Sequence, residues 1–131
     1  MSGTPPLPPS ARKRILVAED DADIARLLHR VLGTDYAVTV ATNGLEAIQL
    51  ATEKAPQLLL LDIMMPGVDG LDAARRIREL PGLNHVPIIF LTAKDGPLDV
   101  IKGIQSGARH YVTKPFKIEE LVAKVNKILK P

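Results

Sequence analysis

The chain has 131 residues, a formal charge of +2 and no cysteine. That length fits one domain able to bury roughly two-thirds of its unfolded surface, and the lack of thiols excludes disulfides and thiolate metal sites while suiting a reducing, cytoplasmic setting. Scattered basic residues with only two Phe and two Tyr argue against direct nucleic-acid binding; no apolar run approaches about 18 residues, so no membrane span is expected, and the Pro-rich start is not a secretory signal.

Residues 1–12 are expected to form a disordered Pro-rich tail, with a single domain over 13–131. Arg12-Lys13-Arg14 reads as a solvated edge flush against the first strand. From Arg14 the chain alternates. Arg14 to Ala18 reads as a strand, and Asp21 to Leu32 as a helix, with Ile24, Leu27, Leu28 and Val31 at helical spacing and Gly33 as the stop. Tyr36 to Ala41 is β-branched and strand-like, Gly44 to Lys54 is helical up to Pro56, and Leu58 to Leu61 is an apolar run typical of a strand buried on both faces. Asp69 to Leu80 reads as a helix closed by Pro81-Gly82, and Pro87 to Leu91 as a strand. Leu98 to Ser106 reads as a helix weakened by Gly103 and ended by Gly107, His110 to Thr113 as the last strand, and Lys117 to Leu129 as an amphipathic helix. Strict β-then-α alternation with short loops predicts an α/β fold with helices on both faces of a parallel sheet. The eight-fold barrel needs about 250 residues. The five-stranded doubly wound sheet of flavodoxin type, strand order 2-1-3-4-5, is the expected solution.

In such sheets chemistry collects at the carboxyl ends of the strands. Here those ends carry Glu19-Asp20-Asp21, Asp62, Thr92 and Lys114. Three carboxylates crowded together cannot all stay ionised unaided. A hard divalent cation resolves the conflict, and an incomplete oxygen ligand set suits Mg²⁺. An acid nucleophile, a metal, an ammonium and a hydroxyl are the parts of phosphoryl transfer, in which Asp62 would attack phosphorus and become an aspartyl phosphate. Other acids have a structural reading: Asp21 or Asp23 as a helix cap, Asp69 and Asp72 at a helix start. His29, His85 and His110 show no ligand spacing.

The segments Ile15 to Asp21, Leu61 to Gly70, Leu91 to Lys94 and Gly107-Ala108 through Tyr111 to Phe116 strongly resemble the CheY-like receiver domains of two-component response regulators. The likeness covers Arg14 to about Leu129, with four motifs in the family's order and spacing. It implies that Asp62 is the phospho-acceptor. It also implies that Asp20, Asp62 and the Met64 carbonyl ligate Mg²⁺, with Glu19 reaching the metal through water; Glu in place of the commoner Asp changes the reach. Lys114 would contact the phosphoryl group, Thr92 and Tyr111 would form the switch pair, and the Lys114–Pro115 bond would be cis. Met64 and Lys94 fall at positions that tune phosphoryl lifetime, while His110 in place of an acid and Gly96-Pro97 bear on partner choice.

The implied partners are a sensor histidine kinase or histidine phosphotransfer protein, and a downstream effector. The effector would meet a face formed by the expected 98–106 helix, the strand around Tyr111 and the last helix. Ile101, Lys102, Gln105, Tyr111 and Lys124 are candidates on that face, and a homodimer is left open. The expectation is a switch rather than a turnover enzyme. A phosphatase of the haloacid-dehalogenase type needs a second Asp two residues after the nucleophile, where this chain has Met64. A docking module independent of phosphorylation is the remaining alternative, although the acids and lysine that such modules lose are all present here. No glycine-rich phosphate loop follows the first strand, which argues against flavin or dinucleotide binding. No output domain follows Leu129 in this sequence, so the chain is expected either to act through partners or to be part of a longer protein.

Overall fold

Four consecutive leucines, Leu58 to Leu61, have no solvent exposure at all, and everything else is arranged around them. The computed structural model describes residues 11–93 and 110–130. The tail before Ala11, the helix expected from Leu98 to Ser106, and Lys94, Ile101, Lys102 and Gln105 lie outside the described residues. The described elements are β1 (Arg14–Ala18), α1 (Ala22–Leu32), β2 (Ala37–Ala41), α2 (Gly44–Glu53), β3 (Leu58–Asp62), α3 (Gly70–Arg78), β4 (Ile88–Ala93), β5 (His110–Lys114) and α4 (Ile118–Leu129). All strands run parallel in the order β2-β1-β3-β4-β5, as the alternation predicts. Among the described residues no helix is long and apolar enough to cross a membrane.

Side chains alternate across a strand, so each strand feeds two cores. Leu16, Leu59, Leu61, Ile88 and Phe90 pack on one face with Ala47 and Ala51 of α2 and Ala74 and Ile77 of α3. Ile15, Val17, Leu58, Leu60, Ile89, Leu91 and Val112 pack on the other with Leu28 and Leu32 of α1 and Leu121, Val125 and Leu129 of α4. Each fully buried Leu or Ile contributes about 1.5–3 kcal/mol of transfer free energy. Central β3 is therefore the least movable part of the molecule, and its last residue is Asp62.

The caps resolve two open positions. Asp21, not Asp23, caps α1, its Oδ1 accepting from the Asp23 and Ile24 amides at 2.9 and 3.2 Å. Asp69 caps α3 by accepting from the Asp72 amide at 2.8 Å. α3 stops at Arg78 rather than Leu80, because the Glu79 and Leu80 amides turn back to the Arg76 and Ile77 carbonyls in the tighter bonding of a frayed last turn. The basic run is half-buried to exposed, as a solvated edge should be, and its charges also find backbone partners. The Arg12 guanidinium donates to the Gly33 carbonyl at 2.8 Å, the Lys13 ammonium donates to the Leu129 carbonyl, and Arg14 Nε donates to the Ala55 carbonyl at 2.8 Å. These carbonyls lie at the C-terminal ends of α1, α4 and α2, where the helix dipole favours cations.

Candidate functional site at the carboxyl edge

Parallel register brings the strand ends to one rim. Ala18 pairs with Leu61, Asp62 with Leu91, Thr92 with Thr113 and Ala93 with Lys114. Glu19 continues β1, its amide donating to the Ala41 carbonyl at 3.0 Å. One oxygen from each of Glu19, Asp20 and Asp62 lies within 4.8 Å of the others. Glu19 and Asp62 are buried, and Asp20 faces water. The rim thus presents two inner acids and one outer acid, a set open on the solvent side.

Lys114 bridges the inner pair. Its ammonium lies 2.7 Å from Glu19 Oε1 and 3.1 Å from Asp62 Oδ2. The second contact is a hydrogen bond. The first is an ion pair without hydrogen-bond alignment, which leaves Glu19 Oε1 buried without a hydrogen-bond donor. Glu19 Oε2 accepts from the Asp21 amide at 3.1 Å, and Asp62 Oδ1 from the Met64 amide at 3.2 Å. Burial pushes the Glu19 carboxyl from 4.5 up to about 7; Lys114 and the Asp21 amide pull it back, and neighbouring Asp62 adds to the rise. For Lys114, burial works against the charge, but Glu19 and Asp62 outweigh it and hold the ammonium above its ordinary range. Among the described residues, one ammonium stands beside three carboxylates. Hard oxygen donors and an open side together fit a small divalent cation.

Met64 is well exposed beside Asp62, and Thr92 is buried. Tyr111, at 41% exposure, has its ring turned toward water. His29 and His85 are exposed and His110 is half-buried; none joins the acidic cluster. The Lys114–Pro115 bond is cis.

The Lys114 charge beside the carboxylates is as the strand ends predict. Gly70 escaped the sequence reading: a Cβ there would stand 2.3 Å from the Asp62 carbonyl oxygen, so only glycine lets the start of α3 press against the backbone that carries Asp62. Gly44 does the same for α2, where a Cβ would meet the Val68 carbonyl oxygen at 2.3 Å. A glycine immediately after a capping residue, as in Asp69-Gly70 and Asn43-Gly44, is the signal that could have marked both.

A family model described as "Response regulator receiver domain" matches residues 15–126. The DNA-binding response regulator MtrA of Mycolicibacterium paratuberculosis is 46% identical over 115 residues, which cover 87% of this chain and 50% of that protein. The chain therefore spans about half the length of the curated relatives it matches. Among solved structures, the receiver domain of the Francisella response regulator 1452 superposes with a TM-score of 0.78 at 35% identity, covering 90% of this chain and 97% of that one. Chemotaxis protein CheY4 of Vibrio cholerae gives 0.81 at 25% identity, covering 91% and 100%. The sheet order, the acidic rim and these likenesses agree: the chain belongs to the receiver domain family of two-component response regulators.

Proposed function

We propose that Asp62 is the phosphoacceptor of this receiver domain and that its phosphorylation switches a binding surface on and off. The observation that carries the reading is the acidic rim itself: three carboxylates within 4.8 Å of one another, two of them bridged by one lysine, at the end of the most deeply buried strand. Glu19, Asp20, Asp62 and the Met64 carbonyl would hold Mg²⁺, which when bound neutralises charge on the transferring phosphoryl oxygens. A carboxylate oxygen of Asp62 forms the new bond to phosphorus while the bond to the donor's imidazole nitrogen breaks, and the electron pair leaves with the imidazole. Lys114 lies where it can follow the charge onto the phosphoryl group, and β3 holds the nucleophile still.

Thr92 and Tyr111 then relay the event. The Thr92 hydroxyl moves to the phosphoryl oxygens, and the outward ring of Tyr111 turns into the space behind it. Driving such a switch from 1:99 to 99:1 takes about 5.5 kcal/mol, within reach of several new charge-assisted hydrogen bonds. The donor is a sensor histidine kinase or histidine phosphotransfer protein in the cytoplasm. The effector contacts the face that includes Tyr111 and Lys124 on α4, and the protein acts as a switch rather than a turnover enzyme. One domain over 13–131, preceded by a tail, suffices for this role.

The test is labelling by acetyl phosphate with and without Mg²⁺. The wild type is expected to incorporate one phosphoryl group only with the metal, and Asp62→Asn none. Equal labelling of Asp62→Asn would overturn the assignment.

A further inference from the structure

The loop between β3 and α3, residues 63–69, includes Met64, whose carbonyl belongs to the ligand set proposed above. The Gly70 amide closes this loop by donating to the Ile63 carbonyl at 2.9 Å. Met65 anchors it in the core that α2 and α3 share, and Gly67 bends it at φ 77°, a conformation glycine takes without steric cost. Met64, Pro66, Gly67 and Asp69 are exposed, while Val68 is half-buried. Behind Val68 stands the start of α2. A Cβ on Gly44 would lie 2.3 Å from the Val68 carbonyl oxygen and 3.1 Å from both the Val68 carbonyl carbon and its Cβ. The first residue of α2 and the outer half of the loop therefore meet backbone to backbone.

We propose that Gly44 is a positioning residue for the acidic rim: by letting α2 back the loop at Val68, it fixes where the Met64 carbonyl stands relative to Asp62, and so tunes the rim to a small divalent cation. The inference rests on the reading of Glu19, Asp20, Asp62 and Met64 as the residues that hold Mg²⁺. The two sides of the contact differ in stiffness. In the first turn of α2, Asn43 Oδ1 accepts from the Glu46 amide and Glu46 Oε1 from the Thr42 amide, each at 2.8 Å, and Ala47 and Ala51 behind it are buried. The loop opposite is mostly exposed. A side chain at position 44 would therefore displace the loop rather than the helix, since overpacking against backbone is relieved by a backbone shift. Mg²⁺ demands near-ideal octahedral geometry, whereas Ca²⁺ accepts a flexible and irregular set of oxygens. A displaced carbonyl ligand thus costs the smaller cation more.

The test is titration of the ¹⁵N-labelled chain with MgCl₂ and, separately, CaCl₂, following the amide shifts of residues 62–65; the rest of the amide spectrum reports folding. Gly44→Ala is expected to weaken Mg²⁺ binding about ten-fold, the lower end of what losing a supporting partner around a metal costs, and Ca²⁺ binding less than about three-fold. Val68→Gly approaches the same contact from the loop side, where added backbone freedom is expected to produce the same split, and it decides the matter where Gly44→Ala does not fold. Ala51→Gly loosens α2 away from the loop and is expected to bind both cations as wild type does. Either contact variant keeping wild-type Mg²⁺ affinity, or losing both cations alike, overturns the role of Gly44, as does an Ala51→Gly protein that shows the same split. A wild type whose amides at 62–65 ignore Mg²⁺ overturns the metal-holding reading itself, and the role of Gly44 with it.

Discussion

The two rims of this sheet carry opposite charges and opposite degrees of satisfaction. At the amino rim, Arg12, Lys13 and Arg14 each donate to a backbone carbonyl at the end of a different helix. The partners of these three contacts are partial charges of helix ends. At the carboxyl rim, Glu19 and Asp62 share the Lys114 ammonium, with the Asp20 carboxylate beside them. A structural charge cluster is closed by its own protein; a functional one is left open for something that arrives later. Net charge could not have drawn this distinction, because +2 for the whole chain averages over both rims.

The largest expected effect comes from removing Lys114, the one cation paired with the open rim's acids among the described residues. Lys114→Met leaves Glu19, fully buried, and Asp62, nearly so, without their counter-ion. Breaking a buried pair in this way costs about 3–5 kcal/mol, read from urea unfolding of metal-free protein at pH 8. Saturating Mg²⁺ is expected to restore part of the loss, since it binds the folded state only. Lys13→Met, at the closed rim, is expected to cost under about 1 kcal/mol and to ignore the metal. Equal losses for the two lysines would erase the difference between the rims.

The next effect, about 3 kcal/mol at full extent, is a pH dependence confined to the open rim. Glu19 ionises near 4.5 in an unfolded chain and near 7 in the folded one, chiefly because of burial. Between those values the folded state binds more protons than the unfolded state, so stability falls as pH rises through this window. The contribution is fully present below about 4.5 and gone above about 7, and the shift corresponds to about 3 kcal/mol. Metal-free wild type is therefore expected to be more stable relative to Glu19→Gln at pH 5 than at pH 8. A wild-type-minus-variant difference that is flat, or that rises with pH, would show that Glu19 is not strained by its surroundings.

How much of this was legible beforehand depends on the range of each interaction. Leu58 to Leu61, the Asp69 cap and the stop at Gly33 are local patterns, and local physics sets them. Asp62, Thr92 and Lys114 were legible because strand ends in a parallel sheet must converge, whatever the packing. The targets of the basic run were not: Arg12 and Lys13 reach carbonyls 21 and 116 residues away, and a charge run looks the same whether its partners are water or helix ends. The Tyr36 hydroxyl, which donates to Asn126 Oδ1 across 90 residues, is hidden for the same reason. Gly70 is an intermediate case. Its place beside a capping Asp is visible in the sequence, but the 2.3 Å approach that forbids a side chain exists only once α3 is laid against β3.

The smallest effect sharpens the comparison from the closed side. Arg12→Gln shortens the reach to the Gly33 carbonyl, and Arg14→Gln does the same at Ala55. Each loses one charge–dipole contact at a helix end, about 0.3–1 kcal/mol at low ionic strength and less in high salt, because surface charges are screened. Both variants are expected to take up phosphate from acetyl phosphate at the wild-type rate, since their contacts end on helix carbonyls at the opposite rim from Asp62. Losses that persist in high salt would mean that these side chains pack rather than pair. A slowed labelling rate would mean that the two rims are coupled through the strands between them, and the amino rim would then belong to the switch and not merely to the scaffold.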